Sequence, residues 1–216
     1  MFLFFDTETT GLPNDWNAPV TRLENWPRLV QLAWISYDEN GRNLDRRVCV
    51  IKPEGFVIPN ESANVHGITT EAAMRDGENL LEALEEFSEK INDADFLVAH
   101  NMNFDEKIVG AEFIRKEVEN KLFEKERICT MLSSIAFCEI PSKNGESYKW
   151  PRLSELHIKL FGEDFEDAHD AMVDTSACAR CFFEMIKRKI INIPDFKKAG
   201  SRIWKQGSLF LFCIFL

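Results

Sequence analysis

The apolar positions of this chain change period several times, and each change marks an element. Residues 1–5 (MFLFF) form a continuous apolar run, the pattern of a strand buried on both faces. Residues 28–37 (RLVQLAWISY) and 44–52 (LDRRVCVIK) supply two further strands, and the turn signal DENG between them predicts a hairpin beside the first. Residues 12–27 and 53–59 read as ordered loops. The period then lengthens. A short helix is expected over 70–75 and an amphipathic one over 79–91, with Leu80, Leu81, Leu84, Phe87 and Ile91 on one stripe. FLVA at 96–99 is a short strand, and Asn103 followed by Glu106 has capping-box spacing for a helix through Ile108, Val109, Phe113 and Ile114. A last short strand at 128–130, helix over 131–138, a polar loop at 141–150 and a helix over 153–161 stopped by Gly162 come next. A long helix then runs to about residue 189.

Acidic residues recur where apolar segments end. Asp6 and Glu8 follow the first strand two positions apart, so they share a face if the chain stays extended through Thr7. Paired in this way they suit a hard divalent cation such as Mg²⁺ or Mn²⁺. Thr9-Thr10-Gly11 then supplies a turn bare enough for close approach by a ligand. Asp105 falls in the first turn of the helix after the 96–99 strand, where the helix dipole by itself favours a carboxylate. Asp174 shares a helical stripe with Cys178, Cys181 and Met185, and so lies on the core-facing side. A carboxylate there is costly unless paired or metal-bound. Four carboxylates from three separate places could meet at one pocket and hold two divalent ions roughly 3.5–4 Å apart, the arrangement used for in-line displacement at phosphorus. His169, just ahead of the last helix, has an ordinary pKa of about 6.5 and could take a proton from an attacking water.

Charge sharpens the argument for metal. The chain has 216 residues, 36 acidic against 26 basic, for a net charge of -10, so nothing draws it globally to a polyanion. Unneutralised carboxylates repel phosphate, whereas the same cluster filled with cations attracts it. With 45% hydrophobic and 29% charged residues the composition is that of a globular protein, long enough for one domain with a sizeable core. The six cysteines are scattered through mostly apolar segments, and with no secretory signal at residue 1 they read as reduced thiols of a cytoplasmic protein. Cys178-x-x-Cys181 lies inside a helical pattern with no second metal-spaced pair and reads as packing.

The strings FDTETTG, VAHNMNFD and AHDAMVD, in this order, resemble the three motifs of the DEDDh 3′-to-5′ exonuclease family, which includes the proofreading epsilon subunit of bacterial DNA polymerase III. VHGIT at 65–69 and YKWPRLSEL at 148–156 are similar to further segments of that family. The likeness covers residues 1 to about 190. It implies an α/β, RNase H-like fold: a five-stranded mixed sheet flanked by helices on both faces. It implies metal ligands Asp6, Glu8, Asp105 and Asp174 for two divalent cations (Mg²⁺ or Mn²⁺), and His169 as general base. Thr7, Thr10, Gly11 and Leu12 would line the terminal nucleotide, with Asn101, Phe104 and His66 nearby.

The expected organisation is an exonuclease domain over 1–190 and a C-terminal extension over 191–216. That extension ends in eight apolar residues, LFLFCIFL, too few to cross a bilayer. The expected activity is removal of nucleoside monophosphates from 3′ ends of DNA, single-stranded or mispaired, in proofreading or repair, with a polymerase as possible partner. Two alternatives stand beside it: a 3′-to-5′ exoribonuclease, separated only by contacts to the 2′-OH, and a non-catalytic module that binds nucleic-acid ends or docks on a polymerase.

Overall fold

The computed structural model describes residues 1–165 and 169–193; the extension expected from residue 191 and its apolar tail fall almost wholly outside these. The opening apolar run becomes the middle of the molecule. Strand β1 (Phe2–Thr9) lies between β2 (Leu29–Tyr37), antiparallel to it, and β4 (Phe96–Ala99), parallel to it. Strand β3 (Asn43–Val50) continues the antiparallel side beyond β2, and β5 (Glu126–Cys129) continues the parallel side beyond β4. The order is β3-β2-β1-β4-β5, the five-stranded mixed sheet expected.

Alternation along β1 sorts its side chains onto two cores. Leu3 and Phe5 face helix α3 (Leu80–Asp93) and helix α4 (Met102–Arg115), packing with Leu84, Phe87, Ile91, Val109 and Phe113. Phe2 and Phe4 face the other way, onto Phe182 and Met185 of helix α8 (Ala171–Lys187) and Leu156 and Leu160 of helix α7 (Leu153–Phe161). Phe182 stands edge-on to Phe2 and to Phe4, with ring centroids 5.1 Å apart in both cases. Each buried phenyl contributes roughly 1.5–3 kcal/mol, so the sheet is held from both faces at the strand that ends in Asp6.

The helix termini differ from expectation at one consequential place. The Asn103/Glu106 capping box does not form. Helix α4 begins at Met102 because Asn101 adopts a left-handed conformation (φ 77°, ψ 46°) that turns the chain out of β4 two residues earlier. Glu106 pairs instead with Arg127 at 2.9 Å. Helix α3 is capped by Asn79, whose Oδ1 accepts from Leu81 N at 2.8 Å, and α7 stops at Gly162 in the left-handed region (φ 78°). Two short helices, α1 (Asn60–His66) and α2 (Thr70–Asp76), cover the end of β2. The segment after β5 is two single turns, α5 (Thr130–Ser133) and α6 (Ile135–Cys138), broken at Ser134.

A buried ionic knot fastens the loop after β1. Glu112 of α4 has no exposed surface and accepts from Arg28 Nε (2.8 Å) and Leu29 N (3.1 Å), with Arg115 Nη1 at 2.9 Å. Arg28 in turn exchanges main-chain bonds with Thr10: Thr10 N donates to its carbonyl at 3.0 Å, and its own N–H donates to Thr10 Oγ1 at 2.9 Å. Cys178 and Cys181 are packed in the core. No helix among the described residues is long and apolar enough to cross a membrane.

Candidate active site

Strand β1 stays extended through Thr9, so the spacing of Asp6 and Glu8 is realised as geometry. Both continue the Phe2–Phe4 face and look toward α8. Thr7, between them, points the opposite way. Its N–H and its hydroxyl both donate to Asp105 Oδ1, at 3.1 and 2.7 Å. Thr7, expected from the motif to line the terminal nucleotide, is buried and clamps the carboxylate of α4 to the central strand.

Asp174 comes from the first turn of α8, and His169 N donates to its Oδ2 at 3.1 Å. His169, like Asn101, is a non-glycine residue at φ 77°, and each immediately precedes a helix-opening segment that carries a site carboxylate. One ligand atom each from Glu8, His169 and Asp174 lie within 4.8 Å of one another. Asp6 and Asp105 stand outside this tightest trio but share its field.

The electrostatics show how close the groups are. Burial, then the charges of Asp105, Asp174, Glu8 and Asp170, hold the Asp6 carboxyl well above the usual carboxylate range. Burial with Asp174, Asp105 and Asp170 pushes Glu8 up to about 8. Asp105 is pushed up to about 7 by burial, against the opposing hydrogen bonds from Thr7. Asp174 is also raised, chiefly by burial, with the contact to His169 pulling the other way. Each of the four is destabilised by desolvation, Asp6 and Glu8 also by at least two of the others, and Asp105 also by Asp174. Four oxygen donors with an imidazole beside them, repelling one another across a partly desolvated pocket, are the donor set that a hard divalent cation neutralises. The residues present fit such an ion.

The remaining expected residues fall around this cluster. Thr10 spends its hydroxyl on Arg28, so it shapes the turn. Gly11 has φ 147°, a conformation few side-chain-bearing residues adopt, with nothing within 4 Å of where a Cβ would sit. Leu12 is 73% exposed at the mouth of that turn. Phe104 packs against Trp16, ring centroids 5.7 Å apart. His66 closes α1. Its Nδ1 accepts from Ile68 N at 3.1 Å, which leaves the proton on Nε2, a buried atom with no hydrogen-bond partner among the described residues. Burial holds this imidazole below its ordinary pKa, and Thr9 and His169 act on it, which places it beside the cluster.

Two contributors escaped the sequence. Asp170 adds its charge to Asp6, Glu8 and Asp174 while capping α8 through Met172 N (2.9 Å) and Val173 N (3.1 Å). Gln31 sits opposite Glu8 across β1 and β2, and its Oε1 accepts from Ala171 N at 3.0 Å, which fixes the start of α8 beside the strand. The capping geometry of Asp170 was visible in AHDAMVD; Gln31 carried no signal without the strand register.

Comparison with known proteins agrees with this geometry. The family model described as exonuclease, of the RNase T type, matches residues 3–182. A PolC-type DNA polymerase III of Mycoplasmopsis pulmonis is 29% identical over 206 residues, covering 95% of this chain and 12% of the relative. That of Staphylococcus aureus strain RF122 / ET3-1 is 28% identical over 215 residues, 96% of this chain and 13% of the relative. The chain thus spans about an eighth of the length of these curated relatives. Among solved structures, Escherichia coli exonuclease I in complex with a dT13 oligonucleotide superposes with a TM-score of 0.67 at 22% identity, over 86% of this chain and 40% of that one. The zinc-bound form of an exonuclease I complex with single-stranded DNA gives 0.68 at 21%, over 87% and 40%. The shared architecture is the RNase H-like fold.

Proposed function

The chain belongs to the exonuclease family, and from that premise we propose that it is a divalent-metal-dependent enzyme releasing nucleoside monophosphates from 3′ ends of DNA, single-stranded or mispaired. The observation that carries this reading is the mutual field of Asp6, Glu8, Asp105 and Asp174, drawn from β1, α4 and α8. In this reading those four carboxylates hold two cations, Mg²⁺ or Mn²⁺, which when bound lower the pKa of water and stabilise charge on the leaving oxygen. A polymerase as partner belongs to the same proposal, supported by the PolC-type relatives.

The side chains divide the work. A ring nitrogen of His169, exposed and beside Glu8 and Asp174, takes the proton of the attacking water. The main-chain bond from His169 N to Asp174 keeps the base and that carboxylate in fixed relation. Thr7 holds Asp105, and Gln31 holds the N-terminus of α8, so the acidic groups are presented by rigid elements and not by loops. The left-handed turn at Gly11 and the exposed Leu12 form the rim that meets the terminal nucleotide, with Asn101, Phe104 and His66 around it.

The test is incubation of the purified chain with 5′-labelled DNA and RNA oligomers of matched sequence in Mg²⁺, in Mn²⁺ and in chelator. Stepwise shortening of the DNA from its 3′ end, abolished by chelator, is expected. Shortening of the RNA alone points to the exoribonuclease reading, and no product from either oligomer overturns the enzyme assignment.

A further inference from the structure

An aromatic hairpin stands at the same end of the sheet and takes no part in the acidic cluster. Residues 141–152 (PSKNGESYKWPR) carry three basic residues against one acidic, in a chain whose net charge is -10. Tyr148 is 47% exposed and Trp150 65%. Large aromatic rings are normally buried, and two of them two positions apart on an extended segment present themselves on one side. Lys149, between them, turns away: its Nζ meets both oxygens of Glu155, at 2.5 and 2.8 Å.

The hairpin is ordered by its own bonds. Ser142 N donates to Ser147 O at 2.8 Å, Lys149 N to Ile140 O at 2.9 Å, and Arg152 N to Glu155 Oε2 at 2.7 Å. Its base is tied to the site. The carbonyl of Pro151 can only accept, so His100 Nε2 donates to it at 3.0 Å, and His100 leads directly from β4 into Asn101 and the helix carrying Asp105. The rings are therefore exposed to water on a hydrogen-bonded hairpin next to the segment that supplies a site carboxylate. Lys143 and Arg152 are exposed at either end of the hairpin.

Exposed rings flanked by cations are the chemistry that grips a single strand, bases stacking on the rings and phosphates meeting the cations. We propose that Tyr148 and Trp150 form a stacking platform for single-stranded DNA, taking nucleotides on the 5′ side of the one in the acidic site. This rests on the exonuclease reading and deepens it. Such a platform supplies local strand affinity in a chain of net charge -10, and its hydrogen-bonded backbone limits the freedom lost on binding.

The experiment uses the full chain and a fluorescein-labelled 12-nucleotide oligothymidylate, with binding read by anisotropy in Ca²⁺ and hydrolysis in Mn²⁺. Trp150→Ala is expected to weaken binding by roughly 5- to 150-fold, the worth of one base–aromatic stack, with Trp150→Phe retaining most of the affinity and the unfolding midpoint unchanged. Val48→Ser, removing an exposed apolar residue from edge strand β3 at the other side of the sheet, is expected to bind as the wild type does. Binding by Trp150→Ala within twofold of the wild type overturns the platform, as does equal loss in Val48→Ser, loss confined to a matched RNA, or absence of binding by the wild type. The two readings separate cleanly. Trp150-dependent binding without hydrolysis supports the platform and removes the exonuclease; hydrolysis with Trp150-independent binding does the reverse.

Discussion

Glu8→Gln should make the metal-free protein more stable, and by an amount that grows with pH. Glu8 titrates near 4.5 when unfolded and about 8 in the fold, because burial and the charges of Asp174, Asp105 and Asp170 penalise its ionised form. A carboxyl with a raised folded pKa binds its proton more tightly in the native state. Its stabilising share is complete below pH 4.5 and is lost as pH rises toward 8. Each pH unit in that window is worth about 1.4 kcal/mol, so the wild type falls behind the glutamine variant by about 2 kcal/mol at pH 6 and about 5 kcal/mol at pH 8.5. Against a total of roughly 5–15 kcal/mol for a domain, that is a large deficit. Urea unfolding of both proteins in chelator at pH 6 and pH 8.5 measures it directly. Adding Mn²⁺ should then stabilise the wild type by about 2.7 kcal/mol at a hundredfold excess over Kd, and the variant by less, since one ligand is gone. Equal stability of the two proteins at pH 8.5 in chelator would falsify the field argument, because it would mean that Glu8 does not feel its neighbours.

Three further outcomes follow from named contacts. Asp174→Asn should abolish Mn²⁺-dependent hydrolysis while leaving the circular dichroism spectrum intact, and full activity in that variant removes Asp174 from the ligand set. His169→Ala should slow hydrolysis by about 10²–10⁴-fold, the usual worth of a general base; an unchanged rate excludes it from proton transfer. Glu112→Ala should cost about 3–5 kcal/mol by urea titration, since it removes the carboxylate shared by the half-buried Arg28 and Arg115 and leaves the buried Leu29 N–H without its acceptor. A loss below 1 kcal/mol would show that water replaces the carboxylate there.

What could be read from the chain, and what could not, divides along physical lines. The central strand announced itself because an unbroken apolar run has few other uses, and period two then placed Asp6 and Glu8 on one face. The same period puts Thr7 on the opposite face, and its bonds to Asp105, 98 positions away, became visible only in the fold. Helix α1 went unseen because none of its residues is buried, so no apolar stripe exists to detect. The start of α4 was misplaced because a left-handed asparagine ended β4 more abruptly than a capping box would. Gln31 was illegible for a different reason: its role depends on a partner 140 positions away, Ala171, which only the packing of α8 on the sheet brings near.

The order of the sheet also shapes how the chain acquires it. Phe2 pairs with Tyr37 on one side and with Phe96 on the other. During synthesis at roughly 5–20 residues per second, the three-stranded antiparallel half can assemble several seconds before β4 leaves the ribosome. Until then the central strand offers one open flank of unpaired amides and carbonyls. Such a flank invites a neighbouring nascent chain, so yield in a heterologous host should depend on translation speed between residues 50 and 100 more than on speed elsewhere.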